Sequence, residues 1–262
     1  MSNNIYMVNL IMKLEYKQFD FAETLRGIDS ALSPKAEELM PMKQFLLDND
    51  KPGIEYAYAG VISVCVHLSV YDNCDVVGLS CAYDTIKRVL LDIFRSNSDC
   101  IDIFCMGRYF CGIYNVTVKS NIDGLIETMA KLNAALSVLD IKLNDRFNIK
   151  VKGNCGCDFG ELFRINNSYI KPDNKAEKNQ IVSQKKNDNF FTSWHGAPLN
   201  MAMLYSGHKI KNDRNGTIIS DNIKSNIKAA YANFFVEYDA EISGYWASLV
   251  DSEIFQWVKS NK

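Results

Sequence analysis

The chain has 262 residues, of which 47% are hydrophobic, so it holds enough apolar material for one large domain or two small ones. Its formal net charge of −2 at pH 7 excludes a strong global field that would draw it to nucleic acid or to anionic lipid. The apolar run at residues 5–12 is far too short to span a bilayer, and no basic leader with a cleavage site precedes it. These features predict a cytoplasmic protein without a membrane or nucleic-acid partner.

The eight cysteines do not follow a metal-binding or disulfide pattern. None belongs to a CxxC pair that a second such pair matches, which is the spacing typical of structural zinc sites. Cys155 and Cys157 would share one face of a strand, as two metal ligands must, so a site there is the alternative interpretation. Since five of the eight lie in apolar, strand-like runs, namely Cys65, Cys105, Cys111, Cys155 and Cys157, we interpret the cysteines as reduced side chains that fill the core.

The first 56 residues predict an N-terminal helical lead-in to the main domain. From residue 14 onward this segment is polar and helix-like, but Pro34, Pro41 and Pro52 interrupt it. Residues 57–70 are then apolar and β-branched, which predicts a buried strand. A helix is predicted over residues 80–96, where apolar side chains recur every three or four positions.

The next segment predicts a hairpin followed by a long helix and a strand. Apolar stretches within residues 100–116 flank Gly107, which is expected at the turn. Ser120 and Asp123 have the spacing of a capping box and predict the start of an amphipathic helix. Its apolar face consists of Ile122, Leu125, Ile126, Met129, Leu132, Leu136 and Leu139. Residues 147–163 then alternate as a strand.

These elements follow the order β-α-β-β-α-β, which is typical of a ferredoxin-like α+β core with both helices on one face of the sheet. The other face is then expected to be free for dimerisation or for a ligand. Residues 166–189 are polar and lysine-rich, which predicts a flexible insertion, with a lysine clamp for phosphate as the alternative. The remaining sequence predicts a short helix ending near His208, a strand at 217–220, a helix at 221–231 and strands at 234–242 and 245–257.

A set of short segments between residues 57 and 257 follows the order of a known set of motifs. They are SVCVHL at 63–68 (FIDI in the family), IFCMGR at 103–108 (IFINGD), KLN at 131–133, GCDFG at 156–160 (GIDYG), WHGAPLNMA at 194–202 (WxGxxVNxA) and the closing segment 245–257. By these segments the chain resembles the pyrimidine nucleotide cyclases of bacterial anti-phage (Pycsar) systems, which are class III nucleotidyl cyclases. The resemblance implies the class III cyclase fold, a ferredoxin-like βαββαβ core with extra C-terminal strands and helices, and makes residues 57–262 a cyclase-homology domain.

The resemblance also implies a mechanism. Class III cyclases are dimers whose active sites lie at the subunit interface. Two aspartates, on the first strand and on the hairpin, hold two divalent ions that promote attack of the ribose 3′-hydroxyl on the α-phosphate. Mg²⁺ prefers such anionic oxygens, and two ions stabilise both the attacking and the leaving oxygen. The partner chain supplies an asparagine that orients the ribose and, in many members, an arginine.

This sequence departs from the family at the positions that carry the chemistry. The two metal-binding aspartates correspond to His67 and Arg108, and the arginine position corresponds to Leu204, whereas the asparagine is kept as Asn200. Histidine is a poor ligand for Mg²⁺, and arginine cannot lose its proton. The sequence therefore predicts no metal site and no cofactor, with Mg²⁺ or Mn²⁺ bound only if the site is active.

Two other carboxylates are candidates to replace the lost aspartates, and His67, Arg108 and Asn200 each have two possible roles. Asp72 is expected in the loop after the first strand, and Asp102 lies on the hairpin several residues before Arg108. His67 is either a base or metal ligand or a satisfied, partly buried histidine. Arg108 either binds triphosphate through its guanidinium or is a surface arginine beside a turn. Asn200 is either a ribose contact or a structural cap.

Three functions remain open from the sequence. The first is a catalytically silent, nucleotide-binding protein or partner subunit, which forms a homodimer or a heterodimer with an active cyclase and binds a nucleoside triphosphate through Asn200 and Arg108, with Phe104 and Ser193 near the base. The second is an active uridylate or cytidylate cyclase that converts UTP or CTP to cyclic UMP or cyclic CMP. The third is a structural interaction module that binds no nucleotide.

Overall fold

The computed structural model describes residues 39–41, 53–70, 76–168, 190–209, 215–249, 256 and 258–260. These residues all belong to one compact unit, Leu39–Lys262. Among them, no helix combines the length and the apolar character that a membrane crossing requires.

The fold is built on one mixed sheet. Its strands are β1 (Leu39–Pro41), β2 (Gly53–Val70), β3 (Cys100–Met106), β4 (Tyr109–Asn115), β5 (Ile149–Ser168), β6 (Phe190–His195), β7 (Gly216–Ile219), β8 (Glu237–Asp239) and β9 (Gly244–Ala247). The helices are α1 (Val76–Arg95), α2 (Lys119–Phe147), α3 (Ala197–Gly207), α4 (Asp221–Asn226) and α5 (Ala229–Ala232). The strand order is β3-β4-β2-β5-β7-β9-β8, while β1 pairs with β2 and β6 pairs with β5.

The ferredoxin-like core predicted from the sequence is confirmed. Strand β2 lies between β4 and β5 and is antiparallel to both, and β3 pairs with β4 as a hairpin. The chain therefore forms the split β-α-β arrangement twice, with α1 and α2 as the two crossover helices. The C-terminal strands extend this core, because β7 adds to β5 in parallel and β9 and β8 follow it.

Helices α1 and α2 cover one face of the sheet. The buried side chains of β2 on this face are Ile62, Val64 and Val66, and they belong to one cluster with Leu90 of α1 and Met129 of α2. Full burial of an aliphatic side chain of this size stabilises the fold by about 1.5–3 kcal/mol. All seven apolar residues predicted for the buried face of α2 are indeed buried.

The expectation that the opposite face is free is wrong for the part that α3 covers. Ala59 and Val61 alternate with the residues of the first cluster and pack instead with Leu199 and Ala202 of α3. Helix α3 covers the sheet here because its own apolar side chains, Leu199 and Ala202 among them, are buried only by packing against an apolar surface. Helix α3 thus covers this part of the second face.

The start of α2 also differs from the prediction. Asn121, rather than Ser120 and Asp123, satisfies the free backbone groups, because its side-chain oxygen accepts hydrogen bonds from the N–H groups of Val118 (2.9 Å) and Thr117 (3.2 Å). Asp123 is buried and accepts from the N–H of Lys228 at 2.9 Å. The carboxylate that resembled a cap therefore holds the start of α5 instead.

Several predicted boundaries change at the two ends of the domain. Leu39–Pro41, within the predicted helical lead-in, is a strand because it pairs with the first residues of β2, which begins at Gly53. Residues 166–168 of the predicted insertion continue β5, and residues 169–189 lie outside the described residues. The predicted helix at 221–231 is divided into α4 and α5, and the two last predicted strands shorten to β8 and β9.

Candidate functional site

The end of β2 and the turn of the β3–β4 hairpin bring His67 and Arg108 together. Cys65 lies opposite Tyr109, and the backbone N–H of Val66 donates to the carbonyl oxygen of Arg108 at 2.9 Å. The turn needs only two residues, because Gly107 adopts a φ of 60° that glycine accepts without strain. As a result Nη1 of Arg108 lies 3.5 Å from Nδ1 of His67.

The electrostatics of this pair keep the imidazole neutral and the guanidinium charged. Burial lowers the pKa of His67, and the neighbouring charge of Arg108 lowers it further. The pKa of Arg108 is raised, chiefly by its hydrogen bond to the Tyr109 hydroxyl, and its guanidinium lies 5.6 Å from the centre of that ring. Since a guanidinium only donates, Nδ1 of His67 is the acceptor in this contact.

Cys65 does not supply an anionic ligand either. Its sulfur lies 3.6 Å from Nε2 of His67 on the same face of β2. Burial raises the pKa of the Cys65 thiol, although the charge of Arg108 acts in the opposite direction. The thiol therefore stays protonated at neutral pH, and a protonated thiol is a poor metal ligand.

Replacing Arg108 by glutamine is expected to raise the pKa of His67, since the change removes one of the two causes that lower it. Burial, the larger cause, remains, so the pKa should stay below 6.5. Because the folded state binds this proton less readily than the unfolded chain, the free energy of unfolding should fall as the pH drops below 6.5, and less steeply in Arg108→Gln. Following the His67 ring protons by NMR against pH measures the pKa. An unchanged value would show that the guanidinium does not act on the ring.

The residues at this position do not fit a magnesium ion. Mg²⁺ requires hard oxygen ligands, whereas His67 offers a nitrogen and Arg108 offers only N–H groups that carry positive charge. Asp102 does not replace them, because its two carboxylate oxygens accept hydrogen bonds from Nε1 of Trp194 (2.6 Å) and from the N–H of Ile103 (2.8 Å). Asp72 lies outside the described residues.

Helix α3 carries the other two predicted positions on its outer side. Asn200 and Leu204 lie one turn apart, and both are exposed, with Leu204 at 49%. Gly196, not Asn200, is the N-cap residue, and its φ of 147° places it where a side chain is strained. Asn200 therefore faces solvent in the first turns of the helix and does not cap it.

Phe104 and Ser193 lie on different strands, β3 and β6. Phe104 lies opposite Cys111 and packs, half-buried, against the cluster beneath α3. Ser193 pairs with Ile165, far along β5 from Lys152, which is the partner of His67. The Ser193 hydroxyl contacts Nε2 of His195 at 2.9 Å instead. Trp194, the next residue along β6, shares the cluster of Phe104 and donates from Nε1 to Asp102 at 2.6 Å.

Two features of the site were missed by sequence reasoning. Tyr109 contacts Arg108, and a Cβ atom added to Gly207 at the end of α3 would lie 2.7 Å from its hydroxyl, so this tyrosine links the hairpin turn to the helix. Ser63 and Ser206 share a buried hydrogen bond of 2.8 Å between β2 and α3. The one signal available was the position of Ser63 as a polar residue inside an apolar strand, since a buried hydroxyl requires a partner.

No protein-family model matches the sequence, and no curated protein matches it. The structure, however, is similar to several solved cyclase structures at a low level of sequence identity. The guanylyl cyclase Cya2 matches with a TM-score of 0.51 and 9% identity, over 75% of this chain and 94% of that chain. A bacterial light-regulated adenylyl cyclase matches with a TM-score of 0.50 and 11% identity, over 80% and 100% of the two chains.

A class III adenylyl cyclase-like ATP-binding protein from Pseudomonas aeruginosa also matches, with a TM-score of 0.51 and 12% identity. The match covers 93% of this chain and 48% of the other, so this chain spans about half the length of that protein. At these identities the similarities concern the fold. The class III nucleotidyl cyclase fold predicted from the sequence is thus confirmed.

Proposed function

We propose that the chain is a catalytically silent protein of the Pycsar pyrimidine-cyclase type, which binds a nucleoside triphosphate or acts as a partner subunit in anti-phage defence. The observation that carries the proposal is the contact of His67 with Arg108 at the two positions where the resemblance expects metal-binding aspartates. A neutral imidazole is a poor ligand for the two ions on which the family's reaction depends, and a fixed cation repels them. In this proposal the chain keeps the cyclase fold but does not carry out the metal-dependent cyclisation.

Nucleotide binding in this proposal relies on charge from the protein in place of charge from metal. Arg108 is exposed and stays protonated, and a guanidinium forms paired hydrogen bonds to phosphate oxygens. Asn200 of a second chain contacts the ribose, because Asn200 lies on the exposed side of α3 and the family assembles its site across a dimer. Phe104 and Ser193 are the side chains placed near the base in this proposal. The solved ATP-binding protein with a cyclase-like fold supports this combination of fold and ligand.

One set of assays should show that the chain binds UTP or CTP but does not convert them. The purified chain is expected to form no cyclic UMP or cyclic CMP from UTP or CTP with Mg²⁺ or Mn²⁺, while these nucleotides raise its melting temperature. A ligand at 100 times its dissociation constant stabilises the folded state by about 2.7 kcal/mol, which a thermal shift detects. Arg108→Gln is expected to weaken binding at least about tenfold, since a charge-assisted phosphate contact is lost.

The matched control is Arg88→Gln, which makes the same substitution at an exposed arginine on α1 that pairs with Asp84. Its nucleotide affinity should equal that of the natural chain. Formation of cyclic UMP or cyclic CMP would contradict the proposal and support the active-cyclase alternative. A chain that neither turns over nor binds nucleotide would instead be a structural interaction module.

A further inference from the structure

We propose that His208, Asp239 and Glu241 form a binding site for a divalent transition-metal ion. The site lies where the end of α3 meets the β8–β9 hairpin. One ligand atom from each of these three residues lies within 4.8 Å of the others, so small side-chain rotations bring all three to one ion. This inference is independent of the proposed function, because it uses none of the residues assigned to nucleotide binding.

The fold holds His208 in place through its backbone. His208 follows the last turn of α3, where its N–H donates to the carbonyl oxygen of Tyr205 at 3.3 Å. Its own carbonyl oxygen accepts a hydrogen bond of 2.8 Å from the side chain of Asn154 on β5. With 13% of its side chain exposed, the imidazole has little freedom to rotate away, and its Nε2 lies 3.2 Å from Oδ2 of Asp239.

The two carboxylates are positioned by the hairpin. Asp239 is the last residue of β8, and its Oδ1 accepts a hydrogen bond of 3.1 Å from the N–H of Glu241. This bond folds the chain so that the Glu241 carboxylate returns toward Asp239. Ser243, at a φ of 52°, completes the turn, and its carbonyl oxygen accepts from the Tyr205 hydroxyl at 3.3 Å. The hairpin is therefore attached to α3 next to His208.

The set of donors defines the class of ion. An imidazole nitrogen with two carboxylates suits ions such as Zn²⁺ or Co²⁺, whereas Mg²⁺ prefers oxygen alone. Three protein ligands leave one position of a tetrahedral ion for water. Two carboxylates held this close also repel each other, and a divalent cation between them removes that repulsion. The ion would thus join α3 to the hairpin.

The location gives the ion a structural role beside the His67–Arg108 contact. Asn154, which holds the backbone of His208, lies directly opposite Cys65 on β2. The end of α3 also contacts Tyr109 through Gly207. An ion bound by His208 therefore holds in place the end of α3 that lies next to the hairpin turn.

Titration of the full-length chain with Co²⁺ tests the site, since the absorption spectrum distinguishes its ligands. One equivalent of Co²⁺ is expected to bind with visible d–d bands and without the near-ultraviolet charge-transfer absorption that thiolate ligands produce. This distinction is needed because Cys81 and Cys105 are exposed. His208→Ala should weaken binding at least about tenfold, and Glu241→Gln, at an exposed position, should weaken it without affecting folding.

His195→Ala provides the matched control, because His195 is exposed and has no part in the site. It should bind Co²⁺ like the natural chain. Zn²⁺ should raise the melting temperature of the natural chain and of His195→Ala, but not that of Glu241→Gln. The proposal is overturned if the natural chain binds no Co²⁺, if His208→Ala and Glu241→Gln bind it unchanged, or if the thiolate absorption accompanies binding.

Discussion

Replacing His67 and Arg108 together by aspartate is expected to create a Mn²⁺ site and to raise the affinity for this ion at least about tenfold over the natural chain. The backbone places the two positions next to each other, because the N–H of Val66 donates to the carbonyl oxygen of Arg108 at 2.9 Å, so carboxylates at 67 and 108 would lie on neighbouring segments. The substitution removes a fixed cation and supplies the oxygen ligands that the ion prefers. Arg108 is exposed and occupies the second position of a tight turn after Gly107, where aspartate is well tolerated.

The matched control is the variant with asparagine at both positions, which removes the same cation but supplies no negative charge. We expect its Mn²⁺ affinity to stay close to that of the natural chain. Measurement of free Mn²⁺ by electron paramagnetic resonance in a His208→Ala background ensures that only this position contributes. Equal Mn²⁺ affinity in the natural chain and in the double-aspartate variant would show that His67 and Arg108 do not block the metal, and the proposal of catalytic silence would lose its basis.

The resemblance implied that positions 67 and 108 lie close together, since both correspond to metal-binding aspartates, and local patterns in the sequence agree with it. The alternation of Ile62, Val64 and Val66 places His67 on the other face of β2, and Gly107 marks a two-residue turn beside it. A hairpin and a neighbouring strand leave few possible registers. The order β-α-β-β-α-β then predicted a ferredoxin-like core, which the fold confirms.

The packing of α3 on the second face of the sheet could not be predicted in the same way. Ser63 meets Ser206 across 143 residues of sequence, and Asp102 meets Trp194 across 92. Periodicity shows that a helix has an apolar side, but it does not show which sheet face receives it. Asp123 illustrates the same limit, because its spacing from Ser120 suits a cap while its actual partner, Lys228, is 105 residues away and directly precedes α5. Tertiary contacts decided each of these cases.

Replacing Gly156 by alanine is expected to destabilise the domain by about 3 kcal/mol, at the upper end of the range for overpacked cores. A Cβ atom at this position would overlap the carbonyl oxygen of Ala202 and lie 2.6 Å from the backbone nitrogen of Ser206. Both atoms belong to the backbone of α3, so no side-chain rotation relieves the overlap. The helix would have to move away from β5, which would also stretch the buried bond between Ser63 and Ser206.

Gly160→Ala is the matched control, because Gly160 lies on the same face of the same strand under the same helix. Its added Cβ atom would lie 3.2 Å from the ring of Pro198, and that ring can shift slightly. Urea unfolding should therefore show a clearly smaller loss of stability than for Gly156→Ala. Because α3 also carries Asn200, the displaced helix of Gly156→Ala should bind UTP or CTP more weakly than Gly160→Ala does. Equal stability of the two variants would mean that α3 is not seated against Gly156, and the covered part of the second face would have to be assigned anew.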